Sequence, residues 1–332
     1  MTRVAVVGAT GAVGRVMLEL LAERSFPADE LVLFASARSA GTEIDGRAVQ
    51  LLDDAADLDG FDVALFSAGA GTAREWAPRF AEHGAVVIDN SSAFRRDPSV
   101  PLVVSEVNPH ALRRHRGLVA NPNCSTMQLM VALAPLHRAV GIERLVVSTY
   151  QSVSGTGQKA IDELDAQAHA SLHGLDMPDP ALYPDHIAFN VIGAAGNFAE
   201  GDDHTDEERK MMFETRKILE DESIAVAVTC VRVPVRVGHS ESVNIQTREP
   251  ITADRARELL ADAPGVSLEP VPSPLRAAGR DDVFVGRVRR DESHPRALWM
   301  WVVSDNLRKG AATNAVQIAE LVIADRAGSA VA

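Results

Sequence analysis

Cys124 has the strongest claim on chemistry in this chain. It stands in Ala120-Asn121-Pro122-Asn123-Cys124-Ser125-Thr126, directly ahead of the apolar run Met127 to Leu136. That run predicts a buried helix with the thiol at its N-terminus, where unpaired N–H groups and the helix dipole favour a thiolate, the nucleophilic form of cysteine. A lone cysteine is more often a small buried hydrophobe, and Cys230, inside the apolar strand Val226–Val233, is assigned to packing on that ground. A nucleophilic thiol also needs a partner base. Among ten histidines, His239 in Arg236-Val237-Gly238-His239-Ser240-Glu241-Ser242 lies where one strand ends and the next begins, a place from which a side chain can project into a cleft. His169 and His173 have the i,i+4 spacing of a metal pair but lack a further ligand cluster, so a surface helix face is expected there and no metal site.

A second chemical signal opens the chain. Gly8-Ala9-Thr10-Gly11-Ala12-Val13-Gly14 follows a strand and starts a helix. Glycines in that context allow a tight turn and bring a pyrophosphate close to the helix N-terminus. The bland reading is a turn that packs a helix on a strand; the strand–helix context favours a nucleotide. An NAD site carries Asp or Glu at the end of the next strand, about 20 residues on. This chain has Ala35-Ser36-Ala37-Arg38-Ser39. Ser36, Arg38 and Ser39 suit a 2′-phosphate, and no carboxylate is present to repel one, so NADP is expected.

The elements that must position these residues change in style along the chain. Up to about residue 120, short apolar strands (Val4–Val7, Leu31–Phe34, Val63–Phe66, Val86–Ile88, Val103–Val104, Leu118–Val119) alternate with helices such as Val13–Glu23 and Thr72–His83, a pattern that implies a doubly wound parallel sheet. After Cys124, a strand at Leu145–Tyr150 leads to a helix near Gln158–His169, and the stretch Asp176 to Asp203 reads as a long ordered loop. Thr205-Asp206-Glu207-Glu208 has capping-box spacing and opens a helix to about Glu220. Strands at Ala225–Val233, Val243–Thr247, Val283–Val288 and Leu298–Val303, with a helix at Ala253–Ala261, suggest a largely antiparallel sheet, and a terminal helix covers about Gly310–Asp325.

Composition narrows the partners. A chain of 332 residues suffices for two domains. The net charge of -13 argues against nucleic acid or an anionic membrane. Two cysteines cannot staple a chain this long and suggest a reducing compartment. No apolar stretch reaches membrane-spanning length, and Arg3-Val4-Ala5-Val6-Val7 enters a strand with no signal-peptide pattern, so the cytoplasm is expected.

Taken together, a series of segments resembles the aspartate-β-semialdehyde dehydrogenase family: Gly8 to Gly14, Ser91-Ser-Ala-Phe-Arg95, Glu106-Val-Asn108, Asn121-Pro-Asn-Cys-Ser125, Gln151-Ser-Val-Ser-Gly-Thr-Gly157, Glu207-Glu-Arg-Lys210, Val231 to Ser242 and Asp305-Asn-Leu-Arg-Lys-Gly310. The resemblance implies an α/β chain: a Rossmann-type NADP-binding domain, 1–122 with 310–332, and an α+β catalytic and dimerisation domain, 123–309, with a mostly antiparallel sheet. It implies Cys124 as nucleophile, His239 as acid/base catalyst and Gln151 as the group that orients the acyl intermediate. Arg232 would clamp the substrate carboxylate, Glu207 would meet its ammonium group, and Arg95, Lys210 and Asn123 would hold phosphate. NADP would meet Gly8, Thr10, Gly11, Ala12, Val13, Gly14, Ser36, Arg38, Ser39, Ser67, Ser154, Gly155 and Asn306.

The implied reaction is reversible conversion of 4-aspartyl phosphate to L-aspartate 4-semialdehyde and phosphate through a cysteine thioester, feeding lysine, threonine and methionine biosynthesis, in a homodimer. N-acetyl-γ-glutamyl-phosphate reductase and a non-catalytic NADP-binding regulator are the alternatives. Bland readings compete at single positions. Glu207 and Lys210 could be a solvated i,i+3 pair, Arg95 beside Arg96 a surface charge, Arg232 half of a structural ion pair, and Gln151 a strand cap. Two departures from the family pattern stand out: Ser105 where many relatives carry proline, and Asn190 to Phe198 without the Pro-His of some branches.

Overall fold

The computed structural model describes residues 1–329, with side chains through Arg326. The chain divides into two compact units, Met1–Asn123 with the segment from Ala311 onward, and Cys124–Gly310.

The N-terminal unit contains β1 (Arg3–Val7), α1 (Ala12–Glu23), β2 (Glu30–Ala35), β3 (Glu43–Ile44), β4 (Arg47–Leu51), β5 (Val63–Phe66), α2 (Gly69–Glu82), β6 (Val86–Asp89) and β7 (Leu118–Ala120), and it takes the chain's last helix, Thr313–Ser329. The strand order is β3-β4-β2-β1-β5-β6-β7. Every pairing is parallel except the β3–β4 hairpin. Burial on both faces explains why these strands read as continuous apolar runs. Along β1 the two-residue period sorts side chains between two cores. Val4 and Val6 join Met17 and Leu20 of α1 and Ala315 and Ile318 of the last helix. Ala5 and Val7 join Phe34, Phe66, Trp76 and Phe80 on the other side, where Phe66 and Phe80 meet edge to face at 5.4 Å.

The Cys124–Gly310 unit contains α3 (Cys124–Val140), β8 (Ile142–Gln151), α4 (Gln158–Leu172), α5 (Asp206–Leu219), β9 (Ala225–Arg232), β10 (His239–Thr247), α6 (Ala253–Ala261), β11 (Val266–Leu268), α7 (Pro274–Ala277), β12 (Val283–Arg290) and β13 (Ala297–Ser304). Its six-stranded sheet runs β11-β12-β13-β10-β8-β9. β8–β9 and β11–β12 are parallel and the other pairings antiparallel. Helix α5 starts where the capping box was expected: the Glu208 N–H donates to Thr205 Oγ1 at 3.3 Å, and the Thr205 N–H donates to Glu208 Oε2 at 2.9 Å. Residues 176 to 203 form no helix or strand and carry only isolated bridges, Ile192 to Arg232 and Phe198 to Thr205.

Three strand assignments differ from the sequence expectation. The β3–β4 hairpin and β11 are additions, short and only partly buried, so they leave little apolar pattern to read. The expected strand at Val103–Val104 does not form. The Val104 N–H donates to Asn108 Oδ1 at 2.9 Å, and the Asn108 N–H returns to Val104 O at 3.0 Å. A turn thus uses the groups a ladder would need, and Leu102 keeps only a single bridge to Ala120.

At the β1–α1 turn, Gly8 has φ +85°, and a Cβ there would stand 2.3 Å from Ser67 O; a Cβ on Gly14 would stand 2.2 Å from Gly8 O. Both obstacles are backbone and cannot step aside. Gly14→Ala is therefore expected to destabilise the N-terminal unit by about 1–3 kcal/mol and to weaken NADPH binding. Thermal melting and a fluorescence titration with NADPH measure the two effects.

Candidate active site

Strand pairing brings three of the expected site residues into one line. In β8–β9, Gln151 pairs with Arg232; in β10–β13, His239 pairs with Ser304. Continuing the β8–β10 register one residue past Ser240–Tyr150 sets His239 opposite Gln151. Directly opposed residues share a face, so Arg232, Gln151, His239 and Ser304 form a row across the sheet, all buried. The next row inward on that face is Cys230, Thr149, Glu241 and Val302, and the one after is Val228, Val147, Val243 and Met300. Polarity falls stepwise from reactive groups, through a mixed layer, to hydrocarbon.

His239 is held from behind. The Ser152 N–H donates to its Nδ1 at 3.0 Å, and the Ser152 hydroxyl lies 3.0 Å from the same atom. With Nδ1 accepting, the neutral ring carries its proton on Nε2. Nε2 is buried and has no hydrogen-bond partner among the described residues. Burial, and then the charge of Arg232, push the imidazole well below its ordinary pKa. The ring thus rests neutral, with Nε2 as its donor. Asn306 fixes the loop around it, since its Oδ1 accepts from the Gly238 N–H at 2.9 Å and from the hydroxyls of Ser152 and Ser154 at 3.0 and 3.1 Å.

Arg232 lies beside this ring. Its Nη1 donates to Ser152 O at 2.7 Å, its Nε has no partner, and no carboxylate pairs with it among the described residues. The structural ion pair that competed with a ligand role is absent there. A buried cation without a counter-charge is costly, and an anionic ligand is the kind of group that could offset that cost. Gly155 lies close against both groups: a Cβ there would stand 3.3 Å from Arg232 Nη1 and from His239 Nε2.

Cys124 is the first residue of α3 and is partly exposed. Gly310 backs it so closely that a Cβ on that glycine would lie 3.0 Å from the Cys124 Cβ. Cys230 is the contrasting thiol, fully buried against Met211 Sδ at 3.7 Å, with burial driving its pKa far up. Helix α5 supplies Glu207 and Lys210. The Lys210 ammonium sits 2.8 Å from Glu207 and 2.7 Å from Asp206. Burial pulls the lysine pKa down, but the two carboxylates outweigh it and leave it raised. These two expected substrate contacts therefore hold each other, half-buried, in the ligand-free chain. His169 and His173 stack at 4.2 Å on the exposed face of α4.

The N-terminal unit carries the other expected contacts. The Gly8–Gly14 turn leaves the start of α1 with no side-chain cap and no acidic residue in its first turn, so its N–H groups are available to a pyrophosphate. Ser67, whose N–H donates to Val7 O at 2.8 Å, closes against Gly8. Ser36 and Arg38 are exposed on the turn after β2, and Ser39 is half-buried there, with no carboxylate among them. Arg95 is buried and its Nη2 donates to Asn90 O at 2.7 Å. The segment leading to Cys124 is tied down by Asn121, whose Oδ1 accepts from Asn314 Nδ2 at 2.6 Å, and Asn123 is buried. Ser105 uses the N–H that a proline would lack, donating to Asn314 Oδ1 at 2.9 Å.

The chain matches the description "Semialdehyde dehydrogenase, NAD binding domain" over residues 3–115 and "Semialdehyde dehydrogenase, dimerisation domain" over residues 133–309. It is 53% identical to the aspartate-semialdehyde dehydrogenase of Aquifex aeolicus, over 97% of this chain and 98% of that one. It is 54% identical to the Streptomyces akiyoshiensis enzyme, over 98% and 100%. A crystal structure of aspartate semialdehyde dehydrogenase II from Vibrio cholerae, complexed with ASA, superposes with a TM-score of 0.94 at 49% identity, covering 98% of this chain and 99% of that one. The chain belongs to the aspartate-semialdehyde dehydrogenase family.

Within this family member, sequence reasoning passed over Ser152 and Gly310, although both lie inside segments that carry the resemblance; one braces the imidazole and the other the thiol. It also gave Glu241 no task. Both carboxyl oxygens of Glu241 are buried without partners, and burial raises its pKa well above the ordinary value of 4.5. The unfolded chain releases this proton near pH 4.5, whereas the folded chain holds it to higher pH. Stability is therefore lost as pH rises from there toward the folded pKa. Glu241→Gln, which cannot ionise, is expected to raise the melting temperature more at pH 8 than at pH 5. An equal shift at both pH values would show that the carboxyl is ionised in the fold.

Proposed function

We propose that this protein is an NADP-dependent aspartate-semialdehyde dehydrogenase that interconverts 4-aspartyl phosphate and L-aspartate 4-semialdehyde plus phosphate in amino-acid biosynthesis. The observation that carries this reading is the buried, unpaired Arg232 guanidinium in one row with His239, whose Nε2 is unpartnered. That row fits a small substrate bearing a carboxylate at one end and a reacting carbonyl at the other.

In the reductive direction the Cys124 thiolate attacks the acyl phosphate, forming a C–S bond as the C–O bond to phosphate breaks. The Gly8–Gly14 turn, with Ser36, Arg38 and Ser39 for the 2′-phosphate, would hold NADPH, which would supply the hydride. His239 donates its Nε2 hydrogen bond to the alkoxide that develops on the former carbonyl oxygen. Collapse of that alkoxide expels the Cys124 thiolate and frees the aldehyde, so sulfur ends the cycle as it began. Phosphate takes its proton from solvent. In the opposite direction the same bond stabilises the alkoxide formed by attack on the aldehyde. If the ring takes up a proton, the Ser152 hydroxyl is placed to accept from Nδ1. Gln151 holds the acyl group, its Nε2 steadied on Thr149 Oγ1 at 3.3 Å.

Arg232 grips the α-carboxylate, Glu207 the ammonium group and Lys210 the phosphate, once a ligand breaks their mutual pair; Arg95 and Asn123 keep the phosphate assignment. The sheet face opposite α3 presents Tyr150 and Trp301, in contact at 5.3 Å, with Trp299 and Ser148, all partly exposed. It suits a second copy of the chain, and the proposal includes a homodimer and a cytoplasmic location.

The test is phosphate-dependent NADP reduction with aspartate semialdehyde, run beside the N-acetylglutamate analogue. Turnover of the analogue alone would reassign the substrate, and turnover of neither would leave an NADP-binding regulator. Cys124→Ala is expected to abolish turnover while NADPH still binds. Arg232→Lys keeps the charge but loses the planar fork. It is expected to raise KM for the semialdehyde by roughly ten- to hundredfold and to leave KM for phosphate nearly unchanged. A fall in melting temperature with both KM values intact would make Arg232 structural.

A further inference from the structure

Gln128 is the sole polar side chain in the otherwise apolar run from Met127 to Leu136, and it is fully buried. A primary amide costs free energy to bury unless its bonds are made inside, so its position calls for a reason. Its Oε1 accepts from Ser304 Oγ at 2.6 Å. Its Nε2 faces the Glu241 carboxyl without a bond of good geometry. Both contacts are to the sheet, and both lie at the reactive row or directly beneath it: Ser304 pairs with His239, and Glu241 is two residues along the same strand face.

On the helix side, Gln128 is four residues after Cys124, one turn along the same face. Gln128 therefore connects the turn that carries the thiol to the strand pair that carries the imidazole. Further along α3 the buried side chains from Leu129 to Ala134 are all apolar. Hydrophobic contact is non-directional and resists sliding or rotation weakly; a buried hydrogen bond has a required distance and angle. We propose that Gln128 is a positioning residue that clamps the first turn of α3 to Ser304 and so sets the Cys124 thiol against the His239 imidazole. The proposal rests on the reading of Cys124 as nucleophile and His239 as its partner, and adds the element that aligns them.

The experiment uses the full-length enzyme with Gln128→Met, which keeps side-chain length and removes the amide, and Ser304→Ala, which removes the other end of the bond. Each variant is expected to lower kcat by roughly tenfold or more, with KM for semialdehyde and NADP unchanged, and to slow carboxymethylation of Cys124 by iodoacetate in parallel. The double variant is expected to be no slower than the worse single one, because both changes break the same clamp. Wild-type kcat and alkylation rate in the folded single variants, whatever their melting temperature, would overturn the clamp. So would losses that multiply in the double variant. Peptide mapping of the alkylated wild-type enzyme separates this from the parent reading: a label away from Cys124 would remove the nucleophile assignment and the clamp with it, whereas a label on Cys124 with unaltered rates in the variants removes the clamp alone.

Discussion

The bond from Arg232 Nη1 to the Ser152 carbonyl, with the Ser152 N–H returning to His239 Nδ1, is the contact on which the reactive row depends. One residue, Ser152, thereby holds a cation through its carbonyl oxygen and an imidazole through its N–H. Both groups are buried, and among the described residues neither has a counter-charge. A buried cation without a counter-charge is costly. Burial depresses the imidazole pKa, and the charge of Arg232 beside it adds to the shift, because a protonated ring there would place two like charges in a dry site. The buried cation and the neutral state of the ring therefore follow from one local geometry.

Behind that row the sheet grades into its core. Thr149 and Glu241 form a polar layer between the reactive groups and the hydrocarbon of Val147, Val243 and Met300. A layer of this kind keeps hydrogen-bonding partners within reach of Gln151, as its contact with Thr149 shows. It also isolates Cys230, which shares the layer, is fully buried and remains a thiol. The two cysteines of this chain differ through their surroundings alone: one begins a helix at a partly exposed edge, and the other is sealed under α5.

The cofactor-binding unit obeys a different constraint, backbone against backbone. Gly8 and Gly14 occur where a Cβ would strike main-chain atoms of Ser67 and Gly8. At the start of α1 the N-cap residue is Gly11, which offers no side-chain cap, so the first N–H groups stay open to phosphate. The network from Ser105 through Asn314 to Asn121 likewise uses buried amides to fix the segment that runs into Cys124.

Much of this could be read from the chain before any coordinates. The strand–Gly-rich turn–helix order at residues 4–23, the capping box at Thr205, the helix beginning at Cys124 and the apolar setting of Cys230 are local signals. Their physics is confined to a few neighbouring residues, and so they survive in one dimension. The absent strand at Val103–Val104 is local too, yet it was misread, because an Asn108 side chain competes for the N–H that the ladder would use. The row Arg232–Gln151–His239–Ser304 has no such local trace. It exists only because β8, β9, β10 and β13, far apart in sequence, pair in a particular register, and a slip of one residue would turn every member to the opposite face. Gln128 and Glu241 illustrate the same limit. In sequence one is lost in an apolar run and the other in a polar strand, and only the packing of α3 on the sheet makes them neighbours of the reactive row.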